Sequence, residues 1–280
     1  MTRNAPPLLR ISLVINTLAL ICAILFVAHR WSQVAERANK YLGKNYVPTE
    51  QLLSTFNNDP LEVSNELLDI GADSTVTILF LGNSLTYTDV PEEEIDKEKR
   101  GLVSSRKDKD YVHQLVAMIA AGDSVNVDYS IINIADWERG FRTQPFTLAK
   151  IENAKNKEPD WLIVQVGENV SQGDLTDSQF EKEFNHLLSL FPESRKIITI
   201  PFWTTKEKSY GATNVAIHSG AYLVDLSHLG SGSDDINNLA MSQEKYKKSN
   251  CGTHPGDYGM LNIAKCIYTG YAAFRQNWKK

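Results

Sequence analysis

Five short apolar runs, separated by segments with helical periodicity, mark the chain from residue 76 onward. The first run is rich in β-branched residues, and short continuous apolar runs are typical of strands that are buried on both faces of a sheet. The runs are Val76–Leu81, Val125–Ile132, Trp161–Val166, Lys196–Pro201 and Ala221–Leu226. Because strands that alternate with helices form parallel sheets with helices on both sides, the pattern predicts a three-layer α/β sandwich with roughly five parallel strands.

The segments between these runs have the spacing of amphipathic helices. In Tyr111–Ala121 the apolar residues recur at i, i+3, i+4 and i+7, with Asp110 as the expected N-cap and Gly122 as the expected C-cap. Further helices are predicted over Pro145–Asn156, Ser178–Phe191 and Asp257–Asn277. Upstream of the first run, the spacing of Leu61–Ile70 predicts a short amphipathic helix.

An uncharged apolar run, Ile11–Ala28, lies between Arg10 and Arg30. At a rise of ~1.5 Å per residue, such a run is long enough to cross the hydrocarbon core of a bilayer. It is longer than the apolar centre of most signal peptides and lacks a good cleavage site, so we expect an uncleaved signal anchor. The predicted organisation is a membrane anchor (1–30), a connector (31–75) and an α/β domain (76–280).

The charges leave the orientation of this anchor open. More basic residues follow the run than precede it, which favours a cytoplasmic domain. A long domain after a first membrane span is nevertheless commonly translocated, and we expect an extracytoplasmic, periplasmic domain on a single-pass anchor. The net charge of −5 argues against a nucleic-acid partner, which would require clustered Lys and Arg.

Three side chains suited to acyl transfer follow predicted strands or precede the last predicted helix. Ser84 follows the first apolar run, Asn169 follows the third, and His254 lies just before the closing helix. The carboxyl ends of parallel strands share one edge of a sheet, where open α/β folds place their sites. A hydroxyl there can be a nucleophile if a base reaches it, and an amide can stabilise an oxyanion. Each residue alone also suits a cap, a turn or packing, so the prediction rests on all three.

The motifs around these residues, GNSLT, GEN and GTHPGDYGM, resemble three blocks of the SGNH/GDSL hydrolase superfamily in the same chain order. The resemblance spans about Val76 to Phe274 and implies a flavodoxin-like sheet and ester hydrolysis. It implies Ser84 as nucleophile, His254 as base, and an oxyanion hole formed by the Asn169 amide and the Ser84 backbone N–H. The implied substrate is a small acyl ester, often acetyl, on a carbohydrate, and no cofactor or metal is implied.

The second block departs from the family pattern. The glycine that usually donates a backbone N–H to the oxyanion falls, without a gap, at Glu138, and Gly140 lies further on. The Glu138 backbone N–H is therefore a candidate oxyanion donor. Trp137, Glu138 and Arg139 are alternatively expected to shape the substrate pocket, with Arg139 paired to Glu138 or to a neighbouring acid as a further alternative.

The acid of the catalytic triad is the larger departure. The family carries Asp three residues before the catalytic His, and Cys251 stands there. A backbone carbonyl, Asp257 or Glu168 is left to orient His254, or the enzyme is weak or inactive. Asp257 has a competing role as the cap of the last helix.

Three functions remain open from the sequence. The first is a membrane-anchored carbohydrate esterase, and the second is a lysophospholipase or thioesterase, which an anchor would suit. The third is a degenerate SGNH scaffold that binds glycans or helps to assemble them, a possibility raised by Cys251. Cys251 and Cys266 would be able to form a disulfide outside the cytoplasm, and two unpaired thiols are an equal expectation.

Overall fold

The computed structural model describes residues 63–88, 99–141, 145–230, 235–248 and 251–277. The predicted anchor, Ile11–Ala28, lies outside these ranges. Within them, no helix combines the length and the apolar character that crossing a membrane requires.

A six-stranded sheet lies at the centre of the domain, with the strand order β1-β3-β2-β4-β5-β6. The strands are β1 (Val63–Leu68), β2 (Thr75–Gly82), β3 (Asn126–Asn133), β4 (Trp161–Gln165), β5 (Arg195–Ile200) and β6 (Tyr222–Asp225). β1 pairs antiparallel with β3, and the other neighbouring strands are parallel. The five predicted strands are therefore confirmed, and an antiparallel edge strand is added to them.

Seven α-helices are present in the described part of the chain. They are α1 (Tyr111–Asp123), α2 (Ala135–Gly140), α3 (Pro145–Lys155), α4 (Gln172–Thr176), α5 (Gln179–Ser189), α6 (Lys206–Ser219) and α7 (Asp257–Asn277). The predicted helices over 111–121, 145–156, 178–191 and 257–277 correspond to α1, α3, α5 and α7. Short 3-10 turns fill much of the connection between β6 and α7.

The sheet separates two hydrophobic cores. Ile78 and Phe80 of β2 belong to a cluster with α1 and α7, whereas Leu79 and Leu81 belong to a cluster with α2, α3, α5 and α6. Successive side chains of a strand point to opposite faces, so a strand covered on both sides is apolar at every position. This explains the continuous apolar runs and confirms the three-layer sandwich.

The prediction of a helix over Leu61–Ile70 is wrong, because its central residues form β1. They pair along their whole length with β3, from Val63 opposite Ile132 to Leu68 opposite Val127. Leu67, an apolar residue of the helical pattern, is 62% exposed. Long-range pairing with β3 therefore decides the conformation of this segment, and local periodicity does not.

One predicted cap of α1 is confirmed and the other is wrong. The Asp110 side chain accepts the His113 backbone N–H at 2.9 Å, as an N-cap does. Gly122 lies inside the helix, which ends at Asp123 and is capped by Ser124 in the left-handed conformation. A Cβ at Gly122 would lie 2.0 Å from Tyr268 Oη of α7, so this glycine permits the close approach of α1 and α7.

The order of the strands creates a switch point beside β2. After β2 the chain forms β3 on one side of it, and later forms β4 on its other side. Open α/β sheets bind ligands in the crevice at the carboxyl ends of such strands. Ser84 follows β2 and Asn169 follows β4, so both lie at this switch point.

Candidate active site

A tight turn after β2 presents Ser84. The Asn83 carbonyl accepts the N–H groups of Thr86 at 2.9 Å and Tyr87 at 3.0 Å, and Asn83 Oδ1 accepts the Leu85 N–H at 3.0 Å. The Ser84 carbonyl accepts the Leu102 N–H at 2.8 Å. Within the described residues, the backbone N–H of Ser84 has no acceptor, so it can donate to a bound group.

A second turn, after β4, carries Asn169. Gly167 has φ +120°, a conformation that favours glycine, and a Cβ there would lie 2.5 Å from Pro201 Cγ. Its N–H donates to Glu138 Oε1, and the carbonyl of Glu168 accepts Lys208 Nζ at 2.8 Å. The turn is thus fixed by α2 on one side and by α6 on the other.

Two partners hold the side-chain amide of Asn169. Its Nδ2 donates to Glu138 Oε2 at 2.6 Å, and its Oδ1 accepts from Arg139 at 3.4 Å. An amide nitrogen carries two hydrogens, so one donor of Asn169 is left over. That donor can serve a developing oxyanion.

Glu138 is the fully buried centre of this arrangement. Its carboxylate also accepts from the side chain of Asn83 at 3.4 Å and from the Asn169 backbone N–H at 3.5 Å. Burial raises the pKa of Glu138, and the hydrogen bonds from Asn169, Gly167 and Asn83 oppose that rise. The Glu138 backbone N–H donates to the Ile134 carbonyl at 3.3 Å. No contact in the described residues tests the predicted role of this N–H as an oxyanion donor, which stays a prediction.

Glu168 supplies a second acid beside the first. Its Oε1 accepts from Gln165 Nε2 at 2.7 Å and from the Phe202 N–H at 3.0 Å. Its Oε2 accepts from Asn83 Nδ2 at 2.8 Å. Burial and the charge of Glu138 raise the pKa of Glu168 to about 7. We call Asn83, Glu138, Gln165, Glu168 and Asn169 the site cluster.

Lys208 is a buried cation whose charge interacts with both of these acids. Its side chain is 9% exposed, and burial lowers its pKa while Glu168 and Glu138 oppose that shift. Its hydrogen bond goes to the Glu168 backbone carbonyl, so it offsets the acid pair at a distance instead of pairing with a carboxylate.

His254 lies against Trp203, which follows β5. The two ring centroids are 4.7 Å apart and the rings are nearly perpendicular. Nδ1 of His254 is buried and has no hydrogen-bond partner within the described ranges. Burial lowers the pKa of His254, opposed by the carbonyl of Cys251, so the imidazole is neutral near pH 7, as a general base must be.

The two acids proposed as orienting groups for His254 have other partners. The Asp257 carboxylate, at the start of α7, accepts the Ser105 N–H at 2.7 Å and the Ser105 hydroxyl at 2.6 Å. The Glu168 carboxylate is held by Gln165, Phe202 and Asn83. Among the alternatives, the carbonyl of Cys251 is the one that influences the ring, and it accepts the His254 backbone N–H at 2.9 Å.

Cys251 and Cys266 are not joined by a disulfide bond. Cys266 Sγ instead lies 3.8 Å from His228 Nε2. In the portions of the chain that the structure describes, no three His, Cys, Asp or Glu side chains are grouped so that they could hold a metal ion.

Two chains of contacts connect the surroundings of the three predicted residues. One runs from Asn83 through Glu168 to Phe202, whose ring contacts Trp203 beside His254. The other runs from the Ser84 carbonyl to Leu102, and from nearby Ser105 to Asp257. The described residues include no hydrogen bond from Ser84 Oγ to the His254 ring. Such catalytic bonds often form fully only when substrate is bound.

Trp137, Glu138 and Arg139, which the sequence analysis grouped as pocket residues, have different surroundings in the structure. Trp137 is buried in the core, where it packs against Phe141 and Phe184, so it does not line a pocket. Arg139 pairs with a neighbouring acid, Asp136, at 3.1 Å. The Glu138 carboxylate and Lys208 were missed, because their partners lie about thirty to forty residues away in the sequence.

No family model matches the sequence, and no curated protein is significantly similar to it. Among solved structures, a lipase/acylhydrolase from Enterococcus faecalis matches with 14% identity and a TM-score of 0.46, over 69% of this chain and 94% of that chain. A two-domain esterase active on acetylated mannans matches with 16% identity and a TM-score of 0.46, over 71% and 50% of the two chains. A salicylyl acyltransferase from a tetracycline biosynthetic pathway matches with 15% identity and a TM-score of 0.46, over 74% and 59%. At this level the likeness concerns the fold alone, so the chemistry rests on the geometry of the site.

Proposed function

We propose that this chain is a serine esterase that hydrolyses O-acyl esters, in particular acetyl esters on a carbohydrate. The observation that carries the proposal is the pair of oxyanion donors at the switch point. The Ser84 N–H has no acceptor within the described residues, and the Asn169 amide is held by Glu138 with one donor to spare. Acyl transfer needs donors placed in advance where negative charge develops.

The reaction follows from these groups. Ser84 Oγ attacks the ester carbonyl while His254 takes the hydroxyl proton, and the resulting oxyanion accepts from the Ser84 N–H and the Asn169 amide. The intermediate collapses, and His254 returns the proton to the departing alcohol. Water, deprotonated by His254, then attacks the acyl-enzyme, and His254 returns this proton to Ser84 Oγ as the acid departs and the free serine is restored.

In this proposal His254 works without a carboxylate partner. Its lowered pKa keeps it neutral and ready to accept a proton. The Cys251 carbonyl accepts the His254 backbone N–H at 2.9 Å, and the ring Nδ1 has no hydrogen-bond partner within the described residues. The centre is therefore a Ser–His dyad with a weaker electrostatic support than a full triad would give.

An ester panel tests the proposal. The full-length chain, purified in detergent, would be assayed with nitrophenyl esters of short and long acyl chains and with acetylated polysaccharide. We expect cleavage of short esters and release of acetate, both abolished by Ser84→Ala and by His254→Ala. A clear preference for long acyl chains would favour the lysophospholipase or thioesterase alternative.

A second candidate is a non-catalytic SGNH scaffold that binds or helps to assemble glycans. The unpartnered Nδ1 of His254 favours it, since a working base usually has its second nitrogen oriented. Absence of hydrolysis with every ester, together with glycan binding that Ser84→Ala leaves intact, would support this candidate against the esterase.

The membrane location is a separate part of the proposal. We place Ile11–Ala28 as an uncleaved anchor with the domain outside the cytoplasm, on the basis of its length and lack of charge. Carbonate-resistant membrane association with an intact N-terminus by mass spectrometry is expected. A mature chain that begins after residue 28 and is released from membranes would disprove the anchor.

A further inference from the structure

We infer that Glu138 is a positioning residue for the proposed esterase, and that its carboxylate fixes the side-chain amide of Asn169 in the orientation that donates to the oxyanion. The inference rests on the proposed function for its catalytic meaning. It rests on the contacts of the buried carboxylate for its structural basis.

Both oxygens of the Glu138 carboxylate accept hydrogen bonds. Oε2 accepts from the Asn169 amide at 2.6 Å. Oε1 accepts from the backbone N–H groups of Gly167 and Asn169 and, at 3.4 Å, from the side chain of Asn83. These partners match an ionised carboxylate, which accepts hydrogen bonds and donates none. The carboxylate thus connects the turn after β2 with the turn after β4.

This match determines which way the Asn169 amide faces. In the observed orientation one Nδ2 hydrogen is bound to Glu138 and the other is left for a ligand. If the amide were turned over, its oxygen would face the Glu138 carboxylate and a negatively charged intermediate would lose its donor. Arg139 supports the same orientation through Oδ1 at 3.4 Å, but its side chain is 55% exposed, so its influence is weaker.

The same contacts make glutamine an informative replacement at position 138. Glutamine has the shape of glutamate, but it must present its NH₂ group to at least one of the existing donors. If the NH₂ faces Asn169, the amide of Asn169 loses its acceptor; if it faces the other way, the donors at Oε1 lose theirs and Asn169 keeps only a neutral acceptor. Glu138→Gln therefore removes the orienting charge while it leaves the volume of the buried side chain almost unchanged.

Steady-state kinetics of a double-mutant cycle test the inference. Because the oxyanion exists only in the transition state, Glu138→Gln should lower kcat by ~10-fold or more and leave KM within about twofold. Asn169→Ala should lower kcat by ~100-fold. In the Asn169→Ala background, Glu138→Gln should cause no further loss, since Glu138 acts through Asn169.

A matched control is Glu183→Gln, which changes another buried glutamate, on α5, whose carboxylate accepts from Gln179. It should leave kcat unchanged. Equal losses of kcat from Glu138→Gln in the wild-type and Asn169→Ala backgrounds would show a merely structural effect and overturn the inference. An unchanged kcat in Glu138→Gln would overturn it as well.

A second measurement does not depend on activity. The side-chain amide resonances of Asn169 can be assigned by their disappearance in Asn169→Ala. We expect Glu138→Gln to shift them and to accelerate their hydrogen exchange, while Glu183→Gln leaves them in place. Unmoved resonances would overturn the inference even in an active enzyme. If the wild-type chain cleaves no ester, the proposed function fails, and the resonances still decide whether Glu138 holds the amide.

Discussion

Two groups of acids in this domain have different kinds of partner and reach opposite electrostatic states. The first is the site cluster. The second, which we call the edge cluster, joins β1 to α1 and consists of Glu66, Lys107, Asp110, His113 and Tyr129. Glu66 Oε2 accepts from Lys107 and Tyr129 at 2.8 Å and lies 3.2 Å from His113 Nε2. His113 Nδ1 lies 2.7 Å from Asp110 Oδ1.

The pKa values of the glutamates move in opposite directions in the two clusters. Burial by itself raises the pKa of Glu66, but the hydrogen bonds of His113, Lys107, Ser64 and Tyr129 bring it well below its usual range. Burial likewise opposes the charge of His113, and its bonds to Asp110 and Glu66 raise its pKa to about 9. In the site cluster, where the partners are amides and backbone N–H groups, the pKa of Glu168 rises to about 7.

The comparison teaches what kind of partner each task requires. Cations neutralise the acids of the edge cluster, so that cluster contributes stability to the pairing of β1 with the domain. Neutral donors orient the acids of the site cluster and leave their charge largely uncompensated. Perturbed carboxyl groups of this kind are typical of functional sites.

Removing the imidazole from the edge cluster should have the largest effect on folding. In His113→Ala, Glu66 and Asp110 lose the cation between them, and the free energy of unfolding should fall by about 2–3 kcal/mol. Urea denaturation at pH 7 measures this loss. The kcat of the molecules that remain folded should be unchanged, because no hydrogen bond of His113 reaches the site cluster.

His218→Ala is the control for this experiment, since His218 is exposed on α6 and bonds to the Asn214 carbonyl of its own helix. It should change stability by less than about 0.5 kcal/mol. A His113→Ala protein of normal stability and reduced kcat would show that the edge cluster belongs to the site.

A change of pH should separate the two clusters next. The folded-state pKa of Glu168, about 7, lies above its ordinary value of 4.5. Between these two pH values the folded protein holds a proton that the unfolded chain has lost. The free energy of unfolding therefore falls as the pH rises from 4.5 through 7. Glu168→Gln removes this loss. Its stability relative to wild type should improve by about 1–3 kcal/mol between pH 5 and pH 8.

Thermal and urea unfolding at the two pH values measure this difference, with Glu244→Gln on the exposed surface as the control. The informative quantity is the change, between pH 5 and pH 8, in the stability of Glu168→Gln relative to wild type. The new amide also disturbs hydrogen bonds, but it does so at both pH values. A constant difference between pH 5 and pH 8 would mean that Glu168 is ionised throughout this range.

The smallest effect should come from giving His254 the kind of partner that His113 has. Cys251→Asp places a carboxylate three residues before the base, where it can accept the second N–H and stabilise the imidazolium. We expect kcat/KM for short esters to rise by roughly threefold, well under the effect of removing a catalytic group. The acid limb of the pH–rate profile should move to higher pH, because a nearby negative charge raises the pKa of the imidazole.

A flat or lower rate in Cys251→Asp, with the fold verified by circular dichroism, would indicate that His254 gains nothing from a carboxylate at this position. Cys251→Ser is the matched control, since it changes the side chain without adding charge. It should leave both the rate and the acid limb in place.

The sequence predicted correctly those elements whose signals lie within the element itself or next to it. The apolar runs identified five strands because each is covered on both faces, and Asp110 identified the start of α1 because a cap acts on its own helix. β1 was misassigned because one of its faces is exposed, with residues alternating between partly buried and exposed, so it has no continuous apolar run. Gly122 was misassigned because its neighbour, Tyr268, comes from a different helix.

The same distinction applies to the site. Ser84 and Asn169 could be proposed from the sequence because each follows a strand, and strand ends can be recognised along the chain. The carboxylate of Glu138 was not found, because nothing near it in the sequence indicates a bond to Asn169. The contact between Glu138, which follows β3, and Asn169, which follows β4, can be recognised only once the order of the strands in the sheet is known. The sequence therefore indicates which side chains follow the strands, whereas the contacts that hold those side chains become visible only in the folded structure.

The antiparallel edge strand has a consequence for the order of assembly during biosynthesis. β1 is the first strand of the sheet to leave the ribosome, but its partner β3 follows only after β2 and α1, with Val63 opposite Ile132. Closing so long a loop carries an entropic penalty that only a formed partner can offset. The nascent chain therefore carries β1 unpaired until the centre of the sheet exists. The strand of this sheet that is made first is among the last to be paired.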